Sequence, residues 1–333
     1  MNISDFRSNA HKMADKLADY FEQIESLPVK SLVKPGEIFS KLPDTPPNHP
    51  ESFNSIIKDF DNIILPGITH WQSPNFYAYF PANSSYPSVL AEILTAGMGA
   101  QCMVWETSPA AAELEEKTMN WLREMTGLPQ HFQGVIQDSA STSTLVALLT
   151  AREKYSSFLI NEEGFHHNKF RVYCSTEAHS SVEKAVKIAG FGRKNLVKIA
   201  VDDELAMVPE KLENAVKADI NKGYIPVCIV AAIGSTGTTA VDPLAEIAEI
   251  CNKYKIWLHV DAAYAGTAFV LEEYRYMING IENADSYVFN PHKWMFTNFD
   301  CSAYFVKDVA TLKRSFEILP EYLKTQPDSL VNN

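Results

Sequence analysis

From residue 170 to residue 307, short runs rich in β-branched and aromatic residues alternate with stretches of helical periodicity. That alternation restricts the chain to an α/β layer fold built on a largely parallel sheet. F-R-V-Y-C-S, P-V-C-I-V-A-A-I, I-W-L-H-V-D, A-D-S-Y-V-F-N and C-S-A-Y-F-V-K read as strands, and S-S-V-E-K-A-V-K-I-A and D-P-L-A-E-I-A-E-I-C-N-K-Y-K as helices. Ligands of such sheets bind beyond the carboxyl ends of the strands, so chemistry is expected just past each strand.

Upstream, P-S-V-L-A-E-I-L-T-A and P-A-A-A-E-L-E-E-K-T-M-N-W-L-R-E-M read as helices. The first segment differs. D-F-R-S-N-A-H-K-M-A-D-K-L-A-D-Y-F-E-Q-I carries Met13, Leu17, Tyr20, Phe21 and Ile24 at helical spacing. K-L-P-D-T-P-P-N-H-P follows, which no helix can cross, and then a second helical stretch, S-F-N-S-I-I-K-D-F-D-N-I-I. The expected organisation is a helical arm over 1–85 that packs on the main body or on a partner subunit, a large domain over 86–315, and a short terminal segment over 316–333. That last segment, ending Q-P-D-S-L-V-N-N, lacks the pattern of a finished domain.

Composition narrows the function classes. The net charge is −12 with no basic block, which argues against nucleic acid and against an anionic membrane surface. No run approaches the roughly 18 apolar residues of a membrane span. The start, M-N-I-S-D-F-R-S-N-A-H-K, has no apolar leader core behind it. Five cysteines, none in C-x-x-C, fit a reducing cytoplasm better than a disulfide framework or a zinc site, and no H-E-x-x-H or similar spacing supplies a metal.

Five places at strand ends remain. Ser139, Ala140 and Ser141 fall where a helix begins, and small residues with hydroxyls there suit a phosphate as well as an ordinary serine cap. His179 follows F-R-V-Y-C-S. The loop G-S-T-G-T-T, holding Thr236, lacks the Lys-Ser/Thr ending of a nucleotide-binding P-loop. Asp261 ends an apolar strand, where a carboxylate needs a cation or serves as a cap. Asn290, Pro291, His292 and Lys293 follow A-D-S-Y-V-F, and Lys293 lies between histidine and tryptophan in an aromatic run. Together these are a phosphate cradle, a flat imidazole, an acid and a buried amine at one sheet edge, a set that matches pyridoxal phosphate (PLP). A desolvated lysine is an uncharged amine able to bond an aldehyde, and the acid can hold a pyridine nitrogen protonated.

H-V-D-A-A-Y-A-G with N-P-H-K-W-x-x-x-N-F-D-C-S-A resembles the group II PLP-dependent decarboxylases, and within them the aromatic-L-amino-acid decarboxylases acting on DOPA, tyrosine or tryptophan. G-I-T-H-W-Q-S-P-N-F-Y-A-Y-F-P, W-E-T-S-P-A-A-A-E-L-E and G-V-I-Q-D-S-A-S extend the resemblance over about residues 5–325. It implies a fold type I large domain, a homodimer and an aromatic amino acid as substrate. It also implies roles. Lys293 would bond the cofactor aldehyde, Asp261 pair with the pyridine nitrogen, Ala263 lie against the ring and His179 stack on its other face. Ser139, Ala140, Ser141, Asn290 and His292 would hold the phosphate, with Thr236 near Asp261. Trp71, Tyr79, Phe80 and Met103 would line the substrate pocket, although the three aromatics could equally be core or dimer packing. Tyr322 would be the mobile-loop tyrosine, whose replacement by phenylalanine in relatives accompanies aldehyde formation. Two departures stand out: Met103, where animal relatives often carry phenylalanine, and the absence of the relatives' C-terminal small domain. Three rival readings stay open: a decarboxylase of glutamate or histidine, another PLP enzyme of the same fold, and an impaired fragment.

Overall fold

The computed structural model describes residues 1–166 and 169–318. Tyr322 lies outside the described residues, as does His167.

The chain divides into two units, the first Met1–Pro81. In it α1 (Ile3–Gln23) is opened by Asn2, whose side chain accepts from the Asp5 N–H (2.8 Å) while Asp5 accepts from the Asn2 N–H (3.2 Å). That reciprocal cap satisfies two N–H groups a helix start otherwise leaves open. The apolar stripe expected from spacing is the covered one: Met13, Leu17, Tyr20 and Phe21 are half-buried and Ile24 is buried. The short helix α2 (Glu37–Lys41) precedes a proline-rich stretch without helix, and α3 (Phe53–Asp59) runs on through a wider turn, Phe60–Ile64. Lys12 bonds Asn54 (3.2 Å), Lys16 pairs with Asp61, and the Tyr20 hydroxyl meets His70 Nδ1 (2.9 Å), so polar contacts tie α1 to the segments after it.

The second unit begins at Ala82. Its helices are α4 (Tyr86–Met98), α5 (Pro109–Met125), α6 (Ala140–Ser156), α7 (Leu159–Glu163), α8 (Ser180–Ile188), α9 (Pro209–Asn221), α10 (Leu244–Tyr254), α11 (Pro291–Trp294) and α12 (Val309–Phe316). Its strands are β1 (Gln133–Gln137), β2 (Phe170–Ser175), β3 (Leu196–Ile199), β4 (Ile225–Ala232), β5 (Trp257–Asp261), β6 (Ser286–Phe289) and β7 (Ser302–Val306). They form one seven-stranded sheet in the order β1-β7-β6-β5-β4-β2-β3. β6, β5, β4, β2 and β3 are parallel, and β7 runs antiparallel to both β6 and β1. The sheet is largely parallel, as expected, with β7 the strand that runs against its neighbours. β1 and β3 are short strands whose apolar pattern did not stand out in the sequence.

Helices cover both faces. Leu258 and Val260 of β5 join one buried cluster, with residues of α9 and α10, while Trp257 joins the other, with residues of α6 and α8. Side chains alternate along a strand, so His259 and Asp261 fall on the same face of the sheet as Trp257. His259 is fully buried there, its Nε2 3.3 Å from the Thr144 hydroxyl and its Nδ1 2.9 Å from the Ser286 hydroxyl, which also accepts from the Trp257 indole N–H (2.9 Å). Burial pushes the His259 pKa down to about 3, so the ring is neutral and serves as a hydrogen-bonded strut between α6, β5 and β6. Because β1 runs in the same sense as the parallel strands, the ends of β1, β2, β4, β5 and β6 all open on one edge of the sheet.

Candidate active site

The residue types singled out at strand ends converge on this edge. Asp261 closes β5, and one carboxylate oxygen accepts from the Ala263 N–H (3.0 Å). Lys293 sits in the single turn α11 after β6, its own N–H donating to Asn290 O (3.0 Å). His179 caps α8, its Nδ1 accepting from the Ser181 N–H (3.2 Å) and meeting the Ser181 hydroxyl (2.8 Å). A neutral His179 with Nδ1 accepting carries its ring proton on Nε2.

Charge links the three. Burial drives the Asp261 carboxyl above the usual aspartate range, while the Ala263 N–H, Lys293 and His179 pull it down. Burial drives Lys293 below an ordinary lysine, and Asp261 pulls it up. Burial likewise lowers His179, Asp261 resists, and Lys293 and Lys184 add to the fall. Desolvation penalises each charged form, and each group partly restores its neighbour's charge. A cluster of mutually perturbed groups at a sheet edge is the ordinary sign of a reactive site.

One expectation needs correction. Lys293 is half-buried rather than wrapped by its aromatic run: Trp294, Phe296 and Phe299 are 41%, 49% and 70% exposed. Trp294 instead stacks on Tyr264 (centroids 4.7 Å apart, planes at 9°), so the motif around Asp261 and the motif around Lys293 are packed together.

Ser139 is the N-cap of α6, its hydroxyl oxygen accepting from the Thr142 N–H (3.2 Å), followed by buried Ala140 and exposed Ser141. Asn290 is buried and its carbonyl oxygen accepts from the Ser302 hydroxyl (2.7 Å), which leaves its amide hydrogens as what it can offer a ligand. His292 is buried, with Nδ1 accepting from the Cys301 N–H (2.9 Å). Ala263 is half-buried beside Asp261. Thr236 is exposed on the loop after β4, which Gly234 begins at a positive φ of 76°, where an added Cβ would lie 2.7 Å from Ala265 Cβ. Met103 is 66% exposed between α4 and α5.

Trp71, Tyr79 and Phe80 belong to the first unit. There Trp71 stacks on Phe76 (4.7 Å) and Tyr79 (5.7 Å), and both Trp71 and Tyr79 are exposed.

Several site residues escaped the sequence reading. Asn83 donates its backbone N–H to His292 O (3.0 Å) and its side-chain amide to Lys293 O (3.1 Å), clamping the lysine turn. Asn298 holds Ser88 through two hydrogen bonds, accepting from its hydroxyl (2.8 Å) and donating to its carbonyl (3.1 Å). Asp138 lies immediately ahead of Ser139, and its hydroxyl partners appear only in the fold. Asn83 and Asn298 each act on a residue about two hundred positions away, so no local pattern exposes them.

The donor set fits PLP: an amine held below its usual pKa for the aldehyde, a carboxyl for the pyridine nitrogen, an imidazole for the ring face, and a helix cap with an amide for the phosphate. The sequence also matches the pyridoxal-dependent decarboxylase conserved domain over residues 35–332. It is 44% identical to tyrosine decarboxylase 2 of Narcissus pseudonarcissus, over all of this chain and 68% of that protein. It is 44% identical to phenylacetaldehyde synthase of Arabidopsis thaliana, over 98% of this chain and 68% of that protein. The fold superposes on the solved structure of Oryza sativa TDC with PLP and tryptamine with a TM-score of 0.93 and 35% identity, covering 98% of this chain and 68% of that one.

Proposed function

The chain belongs to the pyridoxal-dependent decarboxylase family, a carboxy-lyase family of fold type I that uses PLP, and from that premise we propose that it converts an aromatic L-amino acid to the corresponding amine and CO2 with Lys293 as the cofactor lysine. The observation that carries the site reading is the charge-linked set of Lys293, Asp261 and His179 at the carboxyl edge of the sheet.

When bound, PLP supplies an electron sink for the pair left at Cα once CO2 departs. The chain supplies the rest. Lys293, whose pKa burial lowers and Asp261 raises, would offer its Nζ lone pair to the aldehyde. Asp261 would pair with the pyridine nitrogen and favour its protonated form. His179, fixed through Nδ1 by Ser181, presents a flat ring with its proton at Nε2. Ser139, Ala140, Ser141, Asn290 and His292 hold the phosphate. Tyr322 Oη delivers a proton to Cα. This reading assigns substrate binding to the aromatic side chains of Trp71, Tyr79 and Phe80 and, separately, to Met103.

A second reading, aldehyde formation, is favoured by the likeness to phenylacetaldehyde synthase, and Tyr322 speaks for the amine. We also assign a reducing, cytoplasmic setting and a homodimer. Cys174, Cys228 and Cys251 are buried free thiols, and no helix of the described residues is long and apolar enough to cross a membrane. The arm, 1–85, and the large domain, 86–315, are the organisation this reading assigns.

The test joins chemistry to product. The chain is incubated with PLP, reduced with borohydride and mapped by mass, then assayed for CO2, amine and aldehyde from tyrosine, DOPA, tryptophan and glutamate. A label on Lys293 and amine from an aromatic substrate are expected. A label elsewhere, or turnover surviving Lys293→Ala, sinks the site. CO2 from glutamate alone sinks the substrate class, and aldehyde in place of amine favours the second reading.

A further inference from the structure

We propose that Asp138 is a built-in anion that occupies the phosphate cradle at the start of α6, so that cofactor phosphate enters by displacing its carboxylate. The proposal rests on the cofactor reading above.

Hydrogens are the first argument. A hydroxyl has one hydrogen to give. The Ser139 hydroxyl oxygen already accepts from the Thr142 N–H, and its hydrogen goes to Asp138 Oδ2 at 3.1 Å. The Thr142 hydroxyl donates to the same oxygen, also at 3.1 Å. The Ser139 and Thr142 hydroxyls are thus both directed at one carboxylate oxygen, and the third hydroxyl of that turn, Ser141, is exposed. A phosphate at Ser139 receives neither until Asp138 lets go.

Charge is the second. Burial alone would raise the Asp138 pKa, but the Thr142 and Ser139 hydroxyls and the backbone N–H groups of Asp138 and Ser139 hold it below the usual range. The group is therefore ionised throughout the neutral region. Its field also reaches His292, where it favours the charged imidazolium against burial and Lys293. The negative charge so acts on two members of the phosphate set at once, by contact on Ser139 and through space on His292. A phosphate ester carries about −1.5 to −2 charges near neutrality and is repelled by a fixed carboxylate at this range.

Mobility is the third. Asp138 is exposed and sits just ahead of the cap, so a side-chain rotation moves its charge into water and frees both hydroxyls without unwinding α6. Cofactor-free, the carboxylate complements the positive end of the helix; cofactor-bound, the phosphate does. The exchange lowers the net gain from binding phosphate and makes the cofactor readily exchangeable.

The test compares the full chain with Asp138→Asn, which keeps the shape without the charge, and Asp138→Gly, which removes both. Equilibrium binding is measured for PLP, inorganic phosphate and pyridoxal, which lacks the phosphate. Removing one like charge at this range is expected to tighten PLP and phosphate by about tenfold or more and to leave pyridoxal unchanged. Unchanged or weaker PLP binding by variants that melt like the parent overturns the proposal, as does equal tightening for pyridoxal. If neither variant folds, the Asp138 carboxyl carbon resonance of the unaltered chain answers instead. It should shift with PLP and with inorganic phosphate, and a resonance that stays put overturns the proposal. Borohydride mapping separates the two levels: equal capture on Lys293 in parent and variants sinks the plug and spares the site, while capture absent from Lys293 in every form sinks the site and the plug with it.

Discussion

Lys293 and Asp261 pull on each other across the sheet edge, and the direction of each pull can be measured. Burial lowers the lysine, and the acid opposes that fall. Asp261→Asn removes the opposing charge but keeps a similar shape, so the lysine should drop further below its ordinary value of about 10.4. Competitive labelling with acetic anhydride across pH, read on the Lys293 peptide, is expected to show its half-point moved to lower pH in the variant. An unmoved half-point would mean that the two groups share no field. These residues were legible in the sequence because a charged group that ends an apolar strand has few bland explanations. Asn83 and Asp138 were not, because an asparagine or aspartate in a turn has many. What distinguishes them is a partner supplied by folding: Asn83 meets Lys293 across 210 positions, and Asp138 meets a hydroxyl one turn into α6.

At the scale of elements, the loop that carries Thr236 depends on a second acid. Asp242 is buried and accepts from the Met207 N–H and the Ala232 N–H, both at 2.8 Å, fastening the end of β4 where that loop begins. Burial raises its pKa to about 6, the two N–H groups resist, and Asp202 adds to the rise. A folded value above the unfolded one means that its stabilising contribution is complete below the ordinary aspartate value of about 3.9 and is lost as pH rises through the folded value. Asp242→Asn keeps one acceptor and turns an amide toward the other N–H, so it should cost about 1–3 kcal/mol. Its cost should also shrink as pH climbs from about 4 to about 7, since only the parent loses stability over that range. Thermal melts of both proteins across that range check the sign, and a gap that widens with pH would show that Asp242 is not the buried acid described. Helices were legible from periodicity, and P-A-A-A-E-L-E-E-K-T-M-N-W-L-R-E-M begins and ends where α5 does. The reversed direction of β7 was not, because a strand's sequence carries its burial and not its orientation.

Over the whole molecule the distribution of apolar surface is uneven, and α4 shows it most plainly. None of its residues is buried. Tyr86, Leu90, Leu94 and Met98 repeat every four positions and are 68%, 63%, 64% and 72% exposed, with Ile93 at 55% beside them. Spacing of four places them along one side of the helix, so this is a continuous apolar stripe rather than scattered exposure. From sequence the same segment reads only as a helix; the fold shows that this chain leaves its apolar stripe uncovered. Exposed stripes of this kind mark interaction surfaces, and under the proposed homodimer a second copy of the chain would cover this one. A two-fold contact would meet the same stripe twice, so charges placed on it are opposed by their own copies. Leu90→Lys with Leu94→Lys should therefore convert a dimer into a monomer without lowering the melting temperature of the isolated subunit, because neither side chain is part of the core. Sedimentation velocity over a range of concentrations decides it. A parent that stays monomeric at every concentration removes the homodimer, and a variant that still dimerises moves the interface away from α4.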